Sequence, residues 1–203
     1  MKIICIGLNY RKHALELGWP VPDEPVVFLK PDSSIIKNNK PFFLPDFSKD
    51  IHYEVEVVLK ISKLGKGISA KFAPRYFDEI TLGIDITARD LQTKLKATGM
   101  PWELSKCFDG AAPLGKFIPV PAIKDMENLD FRLEINNKVV QKGNTSDLIF
   151  GFNKIVEYVS KFFTLKTGDL IFTGTPPGVG KLHKNDNLVA YMGDEPVLDF
   201  MIK

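Results

Sequence analysis

Polar and apolar residues alternate along residues 51–61, with Tyr53, Val55, Val57, Leu59 and Ile61 on one side. A period of two is the mark of a β-strand, so this stretch is predicted as one continuous strand. Shorter apolar runs predict strands at 2–6, 26–29 and 81–86, then at 170–173, 188–191 and 197–201. Phe131, Leu133 and Ile135 alternate up to Asn136-Asn137-Lys138, a turn sequence that predicts a hairpin into Val139 and Val140. Helical spacing is rarer. Asn9 can cap a short helix over 10–17, closed by Gly18 and Pro20. A second helix is expected over 88–97, ended by Gly99 and Pro101, and a third over 152–163 with Ile155, Val156 and Val159 on one side. Residues 69–77 also read as helical, although Pro74 fits only if it falls early. Strands and helices do not alternate regularly, which excludes a doubly wound sheet and predicts a β-rich α+β fold.

Composition narrows the function. A chain of 203 residues fits one domain over 1–203, with residues 1–50 as an N-terminal segment carrying the short helix. The net charge of +2 is too small to argue for nucleic acid or an acidic membrane surface as partner. The two cysteines, Cys5 and Cys107, have no metal-binding or redox spacing, so a disulfide framework is disfavoured and a reducing compartment is expected. The apolar run at 1–7 meets Arg11 and Lys12 too soon for a signal peptide, and no stretch reaches the ~18 apolar residues of a membrane span. The expectation is a soluble cytoplasmic protein that handles a small molecule.

Glu54 and Glu56 fall on the face opposite the apolar set, about 7 Å apart. Two carboxylates so close repel unless a cation or a shared proton intervenes, and oxygen-only ligands suit a hard ion such as Mg²⁺. The alternative is a pair of solvated acids on a half-buried strand. Asp85 interrupts the apolar residues Leu82, Ile84 and Ile86, either as a third ligand or as a cap for the helix that follows. His13 and Glu16 share a helix face, as a base and its orienting acid or as a surface pair. His52, on the Glu54 and Glu56 face, and His183 are other candidate bases, and three histidines in all disfavour a histidine-rich zinc site. The segment 173–180, Thr-Gly-Thr-Pro-Pro-Gly-Val-Gly, can bring backbone N–H groups close to an anion but matches neither a Walker loop nor a dinucleotide fingerprint. No GxSxG elbow occurs, and Lys106 is either a surface lysine or a substrate clamp.

In this order the motifs resemble the fumarylacetoacetate hydrolase family over nearly the whole chain. They are Gly7-Leu8-Asn9-Tyr10 with His13 and Glu16, Phe28-Leu29-Lys30-Pro31, His52-Tyr53-Glu54-Val55-Glu56, and Asp85-Ile86-Thr87-Ala88-Arg89-Asp90 with Gln92. Pro101-Trp102, Lys106, Gly143 with Thr145-Ser146-Asp147, and the 173–180 segment complete the series. The chain looks most like the compact acylpyruvase and oxaloacetate decarboxylase branch. The resemblance implies a mixed β-sandwich roll, a homodimer, and a divalent ion, Mg²⁺ or Mn²⁺, held by Glu54, Glu56 and Asp85. It implies His13 and Glu16 as a catalytic dyad on a lid, Lys106 as support for developing negative charge, and Arg89, Gln92 and Thr175 as substrate contacts. Cys107 stands where relatives often carry serine, a departure that leaves Lys106 in place. The activity implied is metal-dependent cleavage of a C–C bond in acylpyruvates through a pyruvate enolate. Oxaloacetate decarboxylation or tautomerisation, isomerisation of carboxymethyl-hydroxymuconate-type dienoates, and binding of a metal or keto acid without turnover are the alternatives.

Overall fold

The structure is a computed structural model and describes residues 1–16 and 18–203. Its centre is a six-stranded mixed sheet, in the order Val26–Lys30, Ile3–Gly7, Leu170–Phe172, Val55–Ile61, Phe77–Ile84, Ile118–Pro119. Only Ile3–Gly7 and Leu170–Phe172 run parallel within it. A four-stranded antiparallel sheet, in the order Lys138–Asn144, Asp130–Ile135, Asn187–Met192, Glu195–Met201, contributes to the same hydrophobic core. Val57, Leu59, Leu82 and Ile84 of the first sheet share that core with Phe131, Leu133, Leu188 and Ala190 of the second. This is the strand-rich, multi-sheet architecture expected.

The predicted hairpin is present: Asn136 and Asn137 both adopt positive φ, 52° and 63°, the backbone a two-residue turn between twisted strands needs. Three α-helices occur among the described residues, Arg11–Glu16, Arg89–Ala97 and Phe152–Phe162, close to the expected positions. Residues 69–77 depart from expectation. They form a 3-10 helix over Ala70–Arg75, with Pro74 inside and unable to donate the bond that a continuing α-helix requires.

The strand predicted over 51–61 is two strands. Ile51–Tyr53 pairs in a small sheet with Gly180–Lys181 and Thr87–Ala88, whereas Val55–Ile61 belongs to the central sheet. The break falls at Glu54. There the Val55 N–H donates to the side chain of Gln141 at 2.9 Å, and the Glu54 carbonyl accepts the Asp85 N–H at 2.8 Å. Asp85 sits at the matching step between Phe77–Ile84 and Thr87–Ala88. Both acids therefore lie where neighbouring strands leave one sheet for another, which brings their side chains together.

The face carrying Glu56 is not a solvated one. On that side of the central sheet Ile3, Cys5, Val58 and Phe172 form a second apolar cluster with Ile35 and Ala112 of a separate strand pair. Glu54, Glu56 and Asp85 are all buried, the last only 1% exposed. No helix among the described residues is long and apolar enough to cross a membrane.

Candidate metal centre

Ligand atoms of Glu54, Glu56 and Asp85 lie within 4.8 Å of one another. Three buried carboxylates at that range need positive charge nearby. Lys106 supplies some: its Nζ donates to Glu54 Oε2 at 2.8 Å and to Asp85 Oδ2 at 2.6 Å. Arg89 donates to Glu54 Oε1 at 2.6 Å and to Gln92 Oε1 at 2.7 Å. Thr87 Oγ1 also donates to Glu54 Oε1, at 3.1 Å.

Lys30, named in the sequence only within a motif, is fully buried beside these groups. Its Nζ lies 2.8 Å from Asp85 Oδ1, an ion pair without hydrogen-bond alignment, and donates to the backbone carbonyls of Lys106 and Ile86. A signal for it was available. A lysine closing the apolar run Val26 to Leu29, directly before Pro31, is as costly to bury alone as the acid at 85.

Glu56 is different. Its one hydrogen bond comes from the Gly174 N–H, at 2.7 Å, and no cation pairs with it among the described residues. Burial, reinforced by the charge of Asp85, raises its carboxyl well above the ordinary range. Burial also pushes Glu54 upward, but Lys106 and Arg89 outweigh it and hold that carboxyl well below its usual value. Lys106 is held protonated: Asp85 and Glu54 overcome the desolvation that would lower it. An oxygen-only set with one uncompensated carboxylate fits a hard divalent cation.

The 173–180 loop gives its amides to the protein's own acids. Gly174 (φ +107°) leaves no room for a side chain, since a Cβ would lie 2.6 Å from that of Asn9, and its N–H fixes Glu56. Gly178 (φ +99°), whose Cβ would lie 2.5 Å from the Val140 carbonyl, directs its N–H to both oxygens of Glu16 at 3.2 and 3.3 Å. Glu16 in turn meets His13 Nδ1 at 3.2 Å. A tautomer that donates Nδ1–H to Glu16 leaves Nε2 free to take a proton.

His13, Glu54, Glu56, Asp85, Lys106 and Thr175 all line one cavity of about 740 Å³. Arg89 and Gln92 line it too. Glu16 is not part of the lining and reaches the cavity through His13. His52 is not in the lining and bonds Asp50 at 3.1 Å instead; His183 is largely exposed, 3.6 Å from Asp186. Two features were missed in the sequence. Gln141 is buried and bridges Val55 N–H, Thr175 Oγ1 and the Pro176 carbonyl, so it braces the broken strand against the loop. Trp19, Phe28 and Trp102 form an apolar side to the cavity, with the Phe28 and Trp102 rings edge to face at 5.1 Å.

The profile described as "Fumarylacetoacetate (FAA) hydrolase C-terminal" matches residues 2–200. The mitochondrial oxaloacetate decarboxylase of Dictyostelium discoideum is 44% identical over 180 residues, covering 88% of this chain and 83% of the relative. An oxaloacetate tautomerase of Escherichia coli is 38% identical over 188 residues, covering 92% and 86%. Among solved structures, fumarylpyruvate hydrolase from Pseudomonas aeruginosa, in complex with Mn²⁺ and pyruvate, superposes with a TM-score of 0.94 at 31% identity, covering 100% of this chain and 89% of that one. The extent of these matches, on a fold that buries three carboxylates beside a histidine in one cavity, shows that the chain belongs to the fumarylacetoacetate hydrolase C-terminal family.

Proposed function

We propose that this chain is a divalent-metal-dependent enzyme that forms the enolate of a short 2-keto acid, with Glu54, Glu56 and Asp85 as ligands for Mg²⁺ or Mn²⁺. The observation that carries the reading is a single cavity holding both the carboxylate cluster, with its unpaired Glu56, and the Glu16-supported His13. A divalent ion there would supply a Lewis acid to the carboxylate and keto oxygens of the substrate. The chain's own groups do the rest. Arg89, Gln92 and Thr175 orient the substrate carboxylate. His13 moves the proton at its Nε2, while Glu16, itself held by Gly178, fixes the ring. Lys106, kept cationic by Glu54 and Asp85, supports negative charge as it develops on the keto oxygen.

The names of the relatives favour oxaloacetate as a substrate, through loss of CO₂ or keto–enol exchange. Hydrolysis of an acylpyruvate, with His13 activating water toward the distal carbonyl, is the second reading. A cavity of about 740 Å³ has room for more than a four-carbon acid, and the similar solved structure is a fumarylpyruvate hydrolase. His13→Ala separates the two chemistries. It is expected to slow acetylpyruvate hydrolysis by roughly 10²–10⁴-fold and oxaloacetate decarboxylation far less, since only hydrolysis needs an activated water. Equal losses on the two substrates, in parallel steady-state assays, would contradict that role for His13.

A further inference from the structure

Three cationic side chains line the cavity: Arg89, Lys96 and Lys106. Arg89 and Lys106 are committed to Glu54 and Asp85. Lys96, on the last turn of the helix Arg89–Ala97, has no carboxylate or carbonyl partner among the described residues. Its ammonium lies instead over two indole rings, 4.5 Å from the centroid of Trp19 and 5.4 Å from that of Trp102. Aromatic faces hold a cation in place without neutralising it. Desolvation, then the charges of Lys106 and Arg89, lowers the Lys96 pKa, so the surroundings of this ammonium favour an anion. A positive charge held on the apolar side of a cavity, in one lining with the carboxylate cluster, suits a ligand with an anionic group at each end.

We propose that Lys96 receives the distal carboxylate of a dicarboxylic 2-keto acid and is the residue that selects such substrates over monocarboxylic ones. The inference rests on the 2-keto-acid reading above. It adds a role for a residue that this reading does not use. Trp19 and Trp102 are the positioning residues of the contact: they restrict the flexible lysine stem, which reduces the ordering cost when the anion arrives.

The test compares 2-oxoglutarate with 2-oxopentanoate, keto acids of equal chain length that differ in the distal carboxylate. Oxalate serves as a probe of the chelating head alone. Calorimetric titration of the magnesium-loaded protein is expected to show a preference for 2-oxoglutarate of roughly 10- to 100-fold, the range of one charge-assisted contact. Lys96→Met should remove that preference while 2-oxopentanoate and oxalate bind within about twofold of their original affinity. Lys96→Arg should keep most of it. A wild-type protein without the preference, or a preference that survives Lys96→Met, overturns the proposal and leaves the keto-acid reading standing. Parallel weakening of both keto acids in Lys96→Met also overturns it, since the lysine would then only support the tryptophan wall. If neither keto acid nor oxalate binds the wild-type protein, the keto-acid reading itself fails and the proposal falls with it.

Discussion

Glu56→Gln is expected to remove measurable divalent-cation binding, a loss of at least about 100-fold, and with it turnover, while the protein stays folded. The reason lies in the charge arrangement. Glu54 and Asp85 are already matched by Arg89, Lys106 and Lys30, but Glu56 receives only the Gly174 N–H. Glutamine keeps the side-chain oxygen that accepts this bond and removes the one carboxylate without a counter-ion. The metal-free variant should therefore melt no lower than the wild type.

The pH dependence follows with a definite sign. A carboxyl whose folded pKa is raised favours the fold below its unfolded value near 4.3, and that contribution is lost as pH rises through the folded pKa. Metal binding runs the other way. It needs the carboxylate, so wild-type affinity for Mg²⁺ should climb with pH across the same window, with proton release. Calorimetry at several pH values checks both statements. A Glu56→Gln protein that binds Mg²⁺ as the wild type does would contradict this ligand assignment.

Lys30→Met is expected to destabilise the metal-free protein by about 3–5 kcal/mol, because it leaves a buried carboxylate short of its partner. For a chain of this size, that lowers the melting temperature by roughly 10 °C. Lys30 is fully buried, and its ammonium ties Asp85 to the backbone carbonyls of Ile86 and Lys106. One side chain thus holds the ends of the segments that bring Asp85 and Lys106 together. Saturating Mg²⁺ should recover part of the loss by replacing the missing positive charge. A variant that melts like the wild type, or a deficit of the same size with and without Mg²⁺, would show that Lys30 does not balance this cluster.

Much of this was legible in the residues, for identifiable reasons. Alternation marked the Val55–Ile61 strand, the Asn136-Asn137 pair marked the hairpin between Asp130–Ile135 and Lys138–Asn144, and Asp85 was conspicuous as an acid in an apolar run. The break at Glu54 was not legible. It depends on Gln141 replacing a ladder bond from 86 residues away, and no local pattern encodes such a contact. The burial of Glu54 and Glu56 was hidden for a related reason. A period of two distinguishes the faces of a strand but does not say whether a second layer covers the polar one. Here Ile35 and Ala112, on a separate strand pair and distant in sequence from Val58, join its apolar cluster from outside the central sheet. The roles of Lys30 and Lys96 depend on which charges surround them, and the fold sets that. The glycines of the 173–180 loop were read as able to present amides to an anion, and the anions they meet are Glu56 and Glu16 of the chain itself.

The most direct test of the central proposal follows the enol absorbance of oxaloacetate and of acetylpyruvate with purified protein, first with Mg²⁺ and then with excess chelator. The expected result is fast consumption of at least one of the two, abolished by chelator and restored by added Mg²⁺. Turnover that survives complete metal removal, or no change above background for either keto acid, would contradict it.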